Sequence, residues 1–156
     1  TDTGVPLDLS DDQVIMTAPV VADSPCLLPD QLLCIGEKFG DVVQDPPAMV
    51  SPGDHVVVRF RGAHPRNDLR TGTGYLEVQR ADEDWAVVAR DWDPETTFRW
   101  QRTGGPLSPT SEVTIDWRVP DDAEPGEYRI VYHGDRKPLI GPIAPISGTS
   151  PSFMVQ

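Results

Sequence analysis

Between Ser111 and Gly134 the side chains alternate. Val113, Ile115, Trp117 and Val119 take every second place, and Glu112, Thr114, Asp116 and Arg118 fall between them. A period of two puts one face of a strand in a core and the other in water. A polar connection, PDDAEPG, follows, and then Tyr128, Ile130 and Tyr132 alternate with Arg129, Val131 and His133. The pattern predicts two long antiparallel strands, each with one buried face. Tyr128 stands just after the connection, where a sandwich tyrosine can hook its hydroxyl onto the upstream backbone.

The same texture recurs from residue 37 onward. KFGDVVQDPP predicts a short strand stopped by Pro46 and Pro47, and SPGD at 51–54 predicts a turn. Val56, Val58 and Phe60 then alternate with Val57, Arg59 and Arg61. GAHPRNDLRTGTG is long for a hairpin connection and rich in turn formers, which marks it as a contact surface. Leu76 and Val78 predict the next strand, Trp85–Val88 another, Phe98 and Trp100 a third with both rings inward, and Ser152–Val155 the last. Seven or eight short strands at a spacing of roughly ten residues, without helical periodicity, predict an all-β, immunoglobulin-like sandwich. Seventeen prolines and 13 glycines support many turns over long helices.

Residues 1–36 read differently. They lack a period, contain apolar runs such as QVIMTAPVV, and are punctuated by Pro25, Pro29 and Gly36. The expected organisation is an irregular arm over 1–36 and a sandwich over 37–156. No run approaches the ~18 apolar residues that span a bilayer. No basic-then-apolar leader opens the sequence, and a start at Thr1 fits processed or excised material.

Charge narrows the partners. The net charge is −12, and the first 53 residues hold nine acids against the single base Lys38. Such a surface repels phosphate backbones, so nucleic acid is excluded as a partner. Cys26 and Cys34 are the two cysteines, too few for a zinc site and wrongly spaced for a redox pair. In an oxidising compartment a disulfide between them would stabilise by about 2.5 kcal/mol; in the cytosol both stay thiols. His55, His64 and His133 form no metal-binding motif, and no serine sits in a nucleophile elbow. Two places remain. Asp91, Asp93 and Thr96 in DWDPETT put oxygen ligands close enough for a hard cation such as Ca²⁺ or Mg²⁺, although a solvated Asx turn is the better explanation of them. Arg66, Asn67 and Asp68 in the long loop suit either a structural turn or docking to another domain.

Several stretches carry a resemblance. KFGDVVQDPP, GDHVVVRFRGAHPRNDLRTGTGYLEVQR, SEVTIDWRVP, GEYRIVYHG and GTSPSFMV, in this order, resemble the C-terminal domain of neutral ceramidases from about Glu37 to the end. Pro151 departs from the pattern, standing where the family more often has a basic or polar residue. The resemblance implies an immunoglobulin-like domain that follows a zinc-dependent catalytic domain. That enzyme is secreted or held at a cell surface or in the periplasm. It hydrolyses the N-acyl amide of ceramide, met at a membrane or micelle surface, to sphingosine and fatty acid. The zinc ligands and the nucleophile belong to the catalytic domain, and their motifs are absent here, so no catalytic residue is carried over. The expected partner is that catalytic domain, in the same polypeptide or as a separate chain. A Ca²⁺ or Mg²⁺ shared between the domains is expected near Asp91 and Asp93. The alternative reading is a free-standing secreted sandwich that binds protein or carbohydrate, which Trp85, Trp92 and Trp100 lining one open face as a sugar platform would favour. An independent enzyme is the third reading, and it lacks a constellation to act with.

Overall fold

The computed structural model describes residue 25 and residues 38–65, 74–104, 110–138 and 141–156. These residues form ten strands: β1 (Val42–Gln44), β2 (Met49–Val50), β3 (His55–Gly62), β4 (Leu76–Ala81), β5 (Trp85–Arg90), β6 (Thr96–Arg102), β7 (Ser111–Arg118), β8 (Gly126–Arg136), β9 (Ala144–Thr149) and β10 (Phe153–Val155). One sheet has the order β1-β3-β7-β6. The other runs β2-β10-β8-β4-β5, and β9 also pairs with β8. The two sheets face each other as a sandwich.

The alternating stretches become the centre of both sheets. Ser111, Val113, Ile115 and Trp117 of β7 are buried, and the residues between them are half-buried. Opposite them, β3 buries Val56, Val58 and Phe60, in register Val56↔Trp117, Val58↔Ile115 and Phe60↔Val113. From the other sheet come Leu76 and Val78 of β4, Tyr128, Ile130 and Tyr132 of β8, and Phe153 and Val155 of β10. Burial of each such side chain contributes roughly 1.5–3 kcal/mol. Phe98 and Trp100 are half-buried against this core, as their parity predicts. Val131 has outward parity and is nevertheless buried, because it lies mid-sheet between Glu77 of β4 and Thr149 of β9.

Three expectations change. β7 and β8 do not pair with each other, because the PDDAEPG connection carries the chain from one sheet to the other. Tyr128 secures that corner: its hydroxyl donates to the Glu124 carbonyl at 2.6 Å, and its ring lies 5.4 Å from that of Trp117. The strands number ten among the described residues rather than seven or eight, since β2 is too short to show a period and β9 contains Pro145 and Gly148; the closing strand expected at Ser152–Val155 is β10. The pairing is not wholly antiparallel, for β2 and β10 run parallel, with Met49 opposite Met154.

Two of the family-like motifs meet in space. Gly40 of FGDV and Gly148 of GTSPSF touch backbone to backbone, and a Cβ on Gly148 would fall on the Gly40 carbonyl oxygen. Gly40 has φ +87°, open to glycine at little cost, and its amide donates to the Arg61 carbonyl of β3 at 2.8 Å. The 38–41 turn thus bridges β3 of one sheet and β9 of the other. Ser150 continues the seam. Its hydroxyl accepts from the Ile130 amide at 2.9 Å and donates to the Pro151 carbonyl at 2.8 Å. Pro151 itself is exposed in the link between β9 and β10, so the departure from the family pattern costs no ladder bond there. Of the arm, Pro25 is buried, and its carbonyl accepts from Arg61 Nη1 at 3.3 Å.

Candidate functional site

The turn between β5 and β6 passes the chain from the six-stranded sheet to the other one, and its polar side chains are committed to that task. The Asp93 carboxylate accepts from the Arg90 amide, three residues upstream, at 2.6 Å and closes the turn. The Thr96 hydroxyl shares its proton between the Arg90 and Asp93 carbonyls at 2.7 and 2.8 Å. Asp91 reaches further. Its Oδ2 accepts from the Tyr75 amide at 3.1 Å, and it lies so close over Gly74 that a Cβ there would strike the carboxylate. Gly74 has φ +71°, the left-handed region, so the close approach and the backbone shape both require glycine.

Asp91 therefore joins two segments that the sequence singled out independently: the DWDPETT turn and the C-terminal end of the long loop that contains PRNDL. Arg66, Asn67 and Asp68 themselves lie outside the described residues, as do Cys26 and Cys34. Asp91 and Thr96 come together with Asp93 around one turn but do not converge on one point, since each serves a different backbone group. Among the described residues, no three His, Cys, Asp or Glu side chains gather as a metal-binding group. One oxygen is open, however. Asp91 Oδ1 is buried without a hydrogen-bond partner, and a buried carboxylate oxygen calls for a donor or a cation.

Next to this turn the outward face of the six-stranded sheet carries a cross-strand polar network that the sequence did not disclose. Arg90 Nη1 donates to Glu77 at 3.0 Å, Gln79 donates to the other Glu77 oxygen at 2.7 Å, and His133 Nε2 lies 3.7 Å from Glu77. Arg129 donates to Gln79 at 2.8 Å and stacks on Trp85 at 4.0 Å. Outward parity on β4, β5 and β8 placed these residues on one face; only the strand order made them neighbours. His55 is elsewhere, on the four-stranded sheet, 2.8 Å from Asp116. His64 lies against Trp100, the ring centroids 4.2 Å apart and the planes tilted by 51°.

The tryptophans do not share an open face. Trp100 packs against the core, Trp85 lies beneath Arg129, and Trp92 alone of the three is strongly exposed, at 63%, beside Arg90. A flat sugar platform is not built by these three residues.

With this geometry in hand, the relatives are informative. A family model described as neutral/alkaline non-lysosomal ceramidase, C-terminal, matches residues 2–155, which includes the stretch divided off above as an arm. The neutral ceramidase of Mycobacterium tuberculosis is 44% identical over 119 residues, covering 76% of this chain and 18% of that protein. The neutral ceramidase of Pseudomonas aeruginosa is 40% identical over 153 residues, covering 95% of this chain and 21% of that protein. A crystal structure of neutral ceramidase from Pseudomonas aeruginosa superposes with a TM-score of 0.76 at 40% identity, over 89% of this chain and 21% of that one. A second solved structure, a ceramidase complexed with C2, gives 0.77 at 39% identity, over 88% of this chain and 20% of that one. The chain thus spans about a fifth of the length of the relatives it matches. From the matched span, the identities and the shared sandwich, this chain belongs to the C-terminal domain family of the neutral/alkaline non-lysosomal ceramidases.

Proposed function

We propose that this chain is the accessory sandwich of a neutral ceramidase and supports a catalytic portion that hydrolyses the N-acyl amide of ceramide to sphingosine and fatty acid. The observation that carries this reading is the tie between the two loops. Asp91 holds Gly74 and Tyr75 against the DWDPETT turn, and in this reading a neighbouring domain docks at that junction. In this reading the zinc ligands and the nucleophile belong to the partner portion. Zinc, when bound there, supplies Lewis-acid polarisation of the amide carbonyl and a water acidic enough to act near neutral pH. The role of this chain is to cover apolar surface of that portion and stiffen what supports its site. Its setting is the secretory route, the cell surface or the periplasm, where the enzyme meets sphingolipid at a membrane or micelle.

A Ca²⁺ or Mg²⁺ at the domain interface belongs to the same reading. Asp91 Oδ1 offers one open hard oxygen, while Asp93 and Thr96 are already engaged with backbone, so further ligands must come from across the interface.

Ceramide hydrolysis, with zinc supplied, is measured for this chain alone and mixed with its catalytic portion. The expected outcome is no turnover alone and a faster rate in the mixture. Turnover by the isolated chain would overturn the accessory role. Arg66→Ala and Asp68→Ala should weaken association in a binding titration, and unchanged affinity would remove that loop from the interface. In the assembled protein, at constant zinc, added Ca²⁺ or Mg²⁺ should raise the melting temperature, and Asp91→Asn should abolish the rise; no response in the unsubstituted protein rules the cation out.

A further inference from the structure

The sandwich has two lateral edges, and they differ. On the β5 side the six-stranded sheet ends in a strand that, among the described residues, pairs with β4 alone. Ala86, Val87 and Val88 are exposed in succession along it, Val87 at 39% and Val88 at 46%. Natural edge strands normally carry charge or proline to block pairing, and WAVVA carries neither. Val88 is also an extra residue in the register, since Val78 faces Ala89 and Gln79 faces Val87. Val88 also lines a cleft of about 240 Å³ to which residues of both sheets contribute. That exceeds the roughly 150 Å³ that holds a benzene ring. Val88, Trp117, Pro120 and Ala123 give the cleft apolar walls. Two buried donors among its lining residues, Trp117 Nε1 and Arg80 Nε, have no hydrogen-bond partner.

Charge says what fits. Asp82, Glu83 and Asp84 are exposed at one end of β5, and Asp93, Glu95 and Asp122 are among the residues lining the cleft at the other. The nearby bases are already used: Arg80 pairs with Glu124, and Arg90 pairs with Glu77. A second copy of the chain laid antiparallel along β5 would set Asp82–Asp84 against Asp93 and Glu95, acid against acid, which disfavours a dimer through this edge. A basic segment meets complementary charge at both ends.

We propose that the β5 edge and its cleft dock an extended polypeptide segment carrying a lysine or arginine, supplied by the catalytic portion of the ceramidase. The segment lies along Trp85–Val87 as an added strand. Its basic side chain runs its apolar stem past Val88 into the cleft, with the charge among the carboxylates that line it. A backbone carbonyl entering beside it gives the two unpaired donors an acceptor. The source of the segment rests on the accessory role proposed above; the chemistry of the surface does not.

The surface is tested with a peptide probe, acetyl-Thr-Val-Arg-Val-Thr-amide, against the isotopically labelled 156-residue chain. Saturable shifts confined to residues 85–90 and the Trp117 indole are expected. Binding should weaken at least tenfold with glutamate in place of the arginine, and likewise in Val88→Lys, whose exposed site leaves the fold intact. Glu95→Gln combined with Asp122→Asn should weaken binding severalfold. Shifts elsewhere, equal binding of the glutamate peptide, or dimerisation of the chain through β5 would overturn the surface. The source is tested by amide exchange in ceramidase with its catalytic portion attached. Residues 85–90 should exchange at least tenfold more slowly there than in the isolated chain, and equal rates would overturn the assignment of the segment to that portion. A protected β5 without catalytic stimulation would overturn the accessory role alone.

Discussion

The two lateral edges of the sandwich are built on opposite plans. On the side of β1, β2, β9 and β10, the chain seals itself: the 38–41 turn bridges the sheets, Gly40 and Gly148 interlock, and Ser150 stitches β9–β10 to β8. On the side of β5 and β6, one polar turn spans the gap, and apolar side chains stay in water above an open cleft. The first edge spends its side chains on stability. The second leaves them unsatisfied, as a surface made to be covered does. The difference teaches where a partner is expected: at the edge that intramolecular packing leaves unfinished.

The sharpest way to break this contrast is Gly148→Ala. No flexible side chain can yield to the new methyl, because it meets backbone, so a loss of about 3 kcal/mol or more is expected, seen as a melting temperature lower by roughly 10 °C. Ser150→Ala leaves the Ile130 amide without its acceptor in a buried setting and should cost about 2 kcal/mol in denaturant unfolding. Tyr128→Phe removes the corner hydrogen bond but keeps the ring against Trp117, for about 1 kcal/mol. Val87→Lys, at the open edge, should change stability by less than about 0.5 kcal/mol. If Val87→Lys proved as costly as Ser150→Ala, the two edges would not differ in kind, and the open edge would be part of the core.

Much of the fold was legible because a half-buried strand writes itself in alternation. Val113, Ile115 and Trp117, or Val56, Val58 and Phe60, can satisfy both water and core in one way. Tyr128 was legible for a related reason, since its place after a polar connection matches a corner that needs a hydroxyl. The parallel pair β2–β10 was not legible, because two or three residues hold no period. Neither was the separation of β7 and β8 into opposite sheets, because a seven-residue connection is compatible with a hairpin or with a crossing. The candidate site was legible in composition and silent in geometry. DWDPETT announced a polar turn, but nothing in it said that Asp91 would reach across to Gly74 and Tyr75.

From its sequence alone this chain is an all-β domain with a net charge of −12, because side-chain polarity and spacing act locally along each strand. The meeting of FGDV with GTSPSF, the coupling of Gly74 and Tyr75 to the β5–β6 turn, and the contrast between sealed and open edges were decided by tertiary structure. Each depends on contacts between residues far apart in the chain, and the strand order that makes them neighbours follows from how two twisted sheets share one core.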